Sequence, residues 1–112
     1  MTWTARAFVF SGRPDPRWDL PAAEGERLAD LFAGLAPAAA GERATPGDRL
    51  GYRGVYVRVD DGRRWIAASG LVTLDDGTGE DSRADPGQTF ERLVVATAGD
   101  ALPPGAGPAH PG

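Results

Sequence analysis

Pro14 and Pro16 stand one residue apart, just where the first apolar run of the chain ends. Each proline fixes φ, so the turn around Asp15 has little freedom and a low entropy cost on folding. The stretch Phe8-Val9-Phe10-Ser11-Gly12-Arg13-Pro14-Asp15-Pro16-Arg17-Trp18 therefore reads as a strand that stops in a stiff corner. Upstream of it Trp3–Phe10 has strand character. Thr4, Arg6, Phe8 and Phe10 fall on one face, and Trp3, Ala5, Ala7 and Val9 on the other.

Downstream the expectation is a helix. Asp19-Leu20-Pro21 supplies a start, with proline in the first turn and Asp19 or the turn itself as a cap. Glu24 and Glu26 suit the positive end of the helix dipole. Leu28, Leu31, Phe32 and Leu35 then recur at helical spacing, until Pro37 stops the pattern. The Pro/Gly/Ala-rich segment 37–49 has no period of its own and is expected to be a mobile loop.

Gly51–Ala68 predicts a hairpin. Val55, Val57 and Val59 alternate with Tyr56 and Arg58, and Asp61-Gly62 suits a two-residue loop. That loop pairs Asp60 with Arg63, Arg58 with Trp65 and Val57 with Ile66. Val55, Val57, Ile66 and Ala68 then face the core, while Tyr56, Arg58 and Trp65 share the other face, with Arg58 over the Trp65 ring.

Leu71–Leu74 is a possible short strand and 75–84 an acidic loop. Asp85-Pro86-Gly87-Gln88 then opens a second helix, with Asp85 as cap, proline in the first turn and Gln88 as the capping-box residue. Phe90, Leu93, Val94 and Thr97 are its stripe and Gly99 its end, though β-branched propensity also favours a strand through Leu93-Val94-Val95. The expected fold is α+β: a small, mainly antiparallel sheet with two helices, in the order β-α-β-β-(β)-α. It occupies residues 1–99, and the Pro/Gly/Ala-rich tail 100–112 is expected to be disordered.

Composition narrows the function. A chain of 112 residues makes one domain. A formal net charge of −4 argues against nucleic acid as the main partner. There is no cysteine, hence no disulfide, thiolate metal site or cysteine nucleophile. No run is apolar enough for a membrane span, and the N-terminus lacks the pattern of a signal peptide, so a cytoplasmic location is expected. All 12 basic residues are arginine, a mark of a GC-rich coding sequence more than of a function.

The candidate chemistry is sparse. The acidic loop Asp75–Asp81 carries only part of a calcium-binding pattern, and a solvated loop is the simpler reading. His110, the sole histidine, lies in the tail, and Ser11, Ser69 and Ser82 have no imidazole partner. No cofactor or metal is expected. Ser11-Gly12-Arg13 offers backbone amides and a guanidinium to an anion. Trp18, Tyr52, Arg53, Tyr56, Arg58 and Trp65 are of the types that partner interfaces enrich. With Arg13 they form the expected binding set for a peptide or protein that adds a strand to a free sheet edge. The alternatives are a small carboxylate–arginine enzyme with Asp15 or Asp19 as base at the 11–19 turn, and a purely structural dimer or toxin-system partner.

The motif Phe-Ser-Gly-Arg-Pro-Asp-Pro-Arg-Trp, residues 10–18, resembles one found in small uncharacterised bacterial proteins. These read Ser-Gly-Arg-Pro-Asn/Asp-Pro-x-Trp, then a helix, then Leu-Gly-Tyr-x-Gly before a hairpin. Here the second part is Leu50-Gly51-Tyr52-Arg53-Gly54, and the late helix carries Phe90-Glu91-Arg92-Leu93. The chain is also similar to peptide-binding accessory proteins of crocagin-type ribosomal peptide biosynthesis. The first resemblance covers most of residues 8–98, and the second implies a non-catalytic homodimer that holds a precursor peptide for partner enzymes. The acidic loop and the tail have no counterpart in it.

Overall fold

The computed structural model describes residues 1–10, 14–47, 51–102 and 107. Six strands form one antiparallel sheet: β1 (Trp3–Phe10), β2 (Arg17–Leu20), β3 (Gly51–Val59), β4 (Arg64–Ala68), β5 (Leu71–Asp75) and β6 (Glu80–Ala84). Their spatial order is β2-β1-β3-β4-β5-β6. Helices α1 (Ala22–Ala33) and α2 (Thr89–Ala96) complete the α+β architecture that the periodicities predict. Among the described residues no helix is long and apolar enough to cross a membrane.

Two strands escape the sequence reading. Arg17–Leu20 is expected to lead into a helix, but it pairs antiparallel with β1, Arg6 opposite Arg17 and Trp3 opposite Leu20. The proline corner thus joins two strands, and Pro21 rather than Asp19 stands at the helix N-cap. Glu80–Ala84 is β6 rather than loop, with Thr73 opposite Ser82. The acidic turn between β5 and β6 is held by its own carboxylates. Asp75 Oδ1 accepts the Gly77 amide at 2.9 Å, and Asp76 Oδ1 accepts the Thr78 amide at 2.8 Å.

The β3–β4 hairpin also differs from expectation, by one residue. Val59 accepts the Gly62 amide and donates its own to Arg63, so Asp60-Asp61-Gly62 forms a three-residue loop with Gly62 at φ +102°. Val57 now faces Trp65, and Arg58 faces Arg64. Because strand side chains alternate, this slip exchanges the faces of every β4 residue. Trp65 turns inward and is only 2% exposed, while Ile66 moves to the outer face. An indole buries more apolar area than an isoleucine side chain, which favours the observed register.

The core lies between the sheet and the two helices. Trp3, Ala5, Ala7, Val55, Val57, Val59, Trp65, Ala67 and Val72 meet Leu28 and Phe32 of α1, and Phe90 and Val94 of α2. Trp3 stacks on Trp65, with ring centroids 5.5 Å apart, and Arg63 rather than Arg58 lies over both rings. Leu31 of α1 and Leu35, two residues beyond its end, pack at the partly buried margin of the core. The last turn of α1 contains no basic residue, and Arg83 of β6 supplies one. Its Nη1 donates to the carbonyls of Phe32 (3.1 Å) and Ala33 (2.8 Å), and its guanidinium lies over the Phe32 ring. In α2, buried Asp85 accepts the Phe90 and Glu91 amides, while Gln88 is left-handed and makes no side-chain cap.

Segment 36–47 is packed against the sheet. Residues 36–38 lie along the outer side of β6, where Ala38 donates to Ser82 and Ala84 donates to Ala36. Ala44 is buried, and its amide donates to Thr73 Oγ1 at 2.8 Å. At the other end of the chain, Leu102 is 8% exposed and belongs to the core, three residues beyond Gly99.

The contact between α1 and the sheet has no slack at Gly25. A Cβ there would stand 2.1–2.6 Å from the Trp3 ring, closer than side-chain carbons approach. Gly25→Ala is expected to destabilise the protein by about 3 kcal/mol, the upper end of overpacking costs. Urea unfolding with an unchanged m-value would show that stability alone has moved.

Candidate functional site

Both helices cover one face of the sheet, and segment 39–47 covers part of the other above β5. What the described residues leave uncovered is the outer face of β2, β1, β3 and β4. Strand alternation and register decide its side chains. Along one row Arg17, Arg6, Tyr56 and Ile66 stand side by side; along the next, Asp19, Thr4, Arg58 and Arg64. A depression of about 480 Å³ opens here, lined by Thr4, Arg6, Arg17, Tyr56, Arg58 and Arg64. A smaller one of about 160 Å³ adjoins it across Tyr56 and Arg64, towards Arg43 and Glu80.

The charges are arranged against the usual rule for sheets. Arg6 lies directly opposite Arg17, and Arg58 directly opposite Arg64. Like charges at such positions repel, and opposite ones are preferred. Asp15 approaches Arg6 only to 3.9 Å, and Asp75 binds Arg64 at 2.9 Å. Arg17 and Arg58 are exposed and make no ion pair among the described residues. The Arg6 guanidinium lies 5.1 Å from both the Phe8 and Tyr56 ring centroids, and its buried Nε has no hydrogen-bond partner. Phe8 and Tyr56 themselves meet edge to face at 6.3 Å. The result is a set of planar donors, partly held by aromatic rings, lining an open hollow.

This face differs from the binding set expected from the sequence. Tyr56 and Arg58 are on it. Trp65 is beneath the helices, because of the hairpin register. Trp18 is on the helix side too, half-buried, with Nε1 donating to Thr97 Oγ1 at 2.9 Å. Tyr52 would share the face of Tyr56 on a regular strand. The register shift opposite Phe8, between the Ala7–Val55 and Val9–Tyr52 pairs, carries it to the helix side. Gly54 sits in this bulge at φ +137°, where a Cβ would lie 2.7 Å from the Ala67 carbonyl oxygen. Arg53 donates to the Gly47 carbonyl at 2.7 Å. Arg13 lies outside the described residues, as does His110. Arg6, Arg17 and Arg64 were missed. The signal for Arg6 and Arg64 lay in the alternation, which gives Arg6 the face of Phe8 and, with the correct loop length, gives Arg64 that of Arg58.

The expected carboxylate base at the 11–19 turn gains no catalytic neighbours among the described residues. Asp15 accepts the Val9 amide at 3.0 Å, and Asp19 is exposed on β2. A buried carboxyl group perturbed by its surroundings is Glu91, 2% exposed, which accepts a short hydrogen bond from the Tyr52 hydroxyl. Burial raises the Glu91 carboxyl above its ordinary value and the Asp85 charge adds to this, against lowering by the Tyr52 bond and Arg92. Burial, then the bond to Glu91, pushes the Tyr52 phenol up as well. Tyr52 lies under α2 and Glu91 belongs to that helix, so both are away from the arginine face. No family model, curated protein or solved structure matches this chain.

Because the folded protein disfavours ionised Glu91, its contribution to stability is fully present below the ordinary carboxylate range. It declines as pH rises through the elevated value. Glu91→Gln removes this titration. The stability of the variant relative to wild type is therefore expected to improve between acid and neutral pH, measured by urea unfolding at several pH values.

Proposed function

We propose that this is a non-catalytic binding protein whose open sheet face recognises a peptide or protein segment through its carboxylates. The observation that carries the reading is Arg58 directly opposite Arg64, with Arg6 on the diagonal and Tyr56 beside them. Such a cluster costs stability in the free protein, and a bound carboxylate offsets that cost. Arginine is suited to this because its rigid fork meets a carboxylate with two parallel hydrogen bonds. From β2 to β4 the row spans about 14 Å, three strand spacings, which suits several residues of an extended chain.

Net charge sharpens the choice of ligand. At −4 overall the molecule repels a long polyanion, whereas a short acidic segment meets mainly the local arginine field. Nucleic acid is therefore disfavoured. The role agrees with that implied by the resemblance to peptide-binding accessory proteins. We accordingly read the chain as a carrier that presents an acidic peptide in natural-product biosynthesis.

Fluorescence anisotropy with a labelled peptide of alternating glutamates tests this. Arg58→Ala and Arg64→Ala are each expected to weaken binding about tenfold or more, the worth of one charge-assisted hydrogen bond. Affinity should also fall with added salt. Wild-type protein that ignores the peptide, or variants that bind it unchanged, would sink the proposal.

A further inference from the structure

We infer that β2 is the seam of a homodimer, pairing antiparallel with β2 of a second copy about a two-fold axis through Trp18. The sheet has two edges, and they are not alike. Residues 36–38 occupy the outer side of β6, whereas no described strand pairs with the outer side of β2. An edge with unpaired backbone groups is a template for another strand.

The backbone of β2 is in phase for this pairing. Ala7 donates its amide to the Pro16 carbonyl, so Pro16 belongs to the set that bonds inwards to β1. Bonding direction alternates along an antiparallel strand, which turns Trp18 and Leu20 inwards and Arg17 and Asp19 outwards. Centred on Trp18, the two-fold sets Arg17 of each copy opposite Asp19 of the other, and their outward amides and carbonyls form two bonded pairs. Trp18 faces its counterpart at the closer, non-bonded position between them.

The side chains agree with the backbone. Arg17 and Asp19 lie on the arginine face, both exposed, and neither makes a side-chain hydrogen bond or ion pair among the described residues. Opposite charges directly across a ladder are the favoured pairing, and here one strand complements itself. Arg17 thereby finds its counter-charge across the seam, which leaves Arg6, Arg58 and Arg64 of each copy for the ligand. Two six-stranded sheets become continuous, with both arginine faces on one side. Because the β6 edge is closed, association stops at two.

Sedimentation equilibrium of the full chain, at up to about 1 mM, a concentration that detects even weak pairing, is expected to show a monomer–dimer equilibrium. Arg17→Asp and Asp19→Arg each set like charges against one another twice and should raise the dissociation constant at least about tenfold. The double swap R17D/D19R restores the complementarity and should restore the dimer. Thermal melts of all three variants check that they fold, and Arg58→Ala, which removes a ligand contact, should leave the dimer intact. A wild-type monomer at every concentration would overturn the inference. So would a dimer indifferent to both single reversals, or a swap that fails to recover it.

Discussion

The stack of Trp3 on Trp65, pressed beneath the Gly25 backbone, is the constraint on which the rest of the molecule depends. One indole comes from β1 and the other from β4, so the stack reaches across β3, which lies between them. Above it, the missing side chain at Gly25 lets α1 sit directly on a ring. Two large apolar groups are thereby buried with few atoms spent on the helix side, which matters in a small domain with a limited core. Putting Trp65 there sets the register of β4. The register in turn sends Arg64 out to the far side, opposite Arg58. The hydrophobic demands of one face thus compose the electrostatics of the other.

Much of this was legible. The stripe Leu28–Leu35 and the alternation Val55–Val59 are long, regular signals, and both elements occur where those signals lie. Inward Trp3, Ala5 and Ala7 follow from alternation as well. What failed was local. β2 has four residues, beginning after a proline and ending before one, so it offers too short a run for any period to show. β6 reads Glu-Asp-Ser-Arg-Ala and buries almost nothing; it is a strand because β5 and residues 36–38 pair with it on both sides. Tertiary pairing overrode propensity in both cases.

The candidate face was half legible for a sharper reason. Asp60-Asp61-Gly62 permits a two-residue or a three-residue loop, and the choice between them decides whether Trp65 or Arg64 faces outwards. A second ambiguity of the same kind lies at Arg53-Gly54, where one extra residue transfers Tyr52 to the helix side. Neither is encoded in hydrophobicity. Tyr56 and Arg58 were found because they lie between these two irregular points, on the regular part of β3. Tyr52 and Trp65 lie outside it, and there the expectation inverted.

Arg83 has a consequence for how the fold comes apart. It binds carbonyl groups about fifty residues earlier in the chain, closing the end of α1 from the far edge of the sheet. The segment that follows α1 pairs with the same strand. The last turn of α1, residues 36–38 and the β5–β6 hairpin are thereby tied into one cooperative unit, though the middle of the chain separates them in sequence. The amides of all three would share one opening event, and the order of synthesis leaves the end of α1 unfastened until β6 has been made.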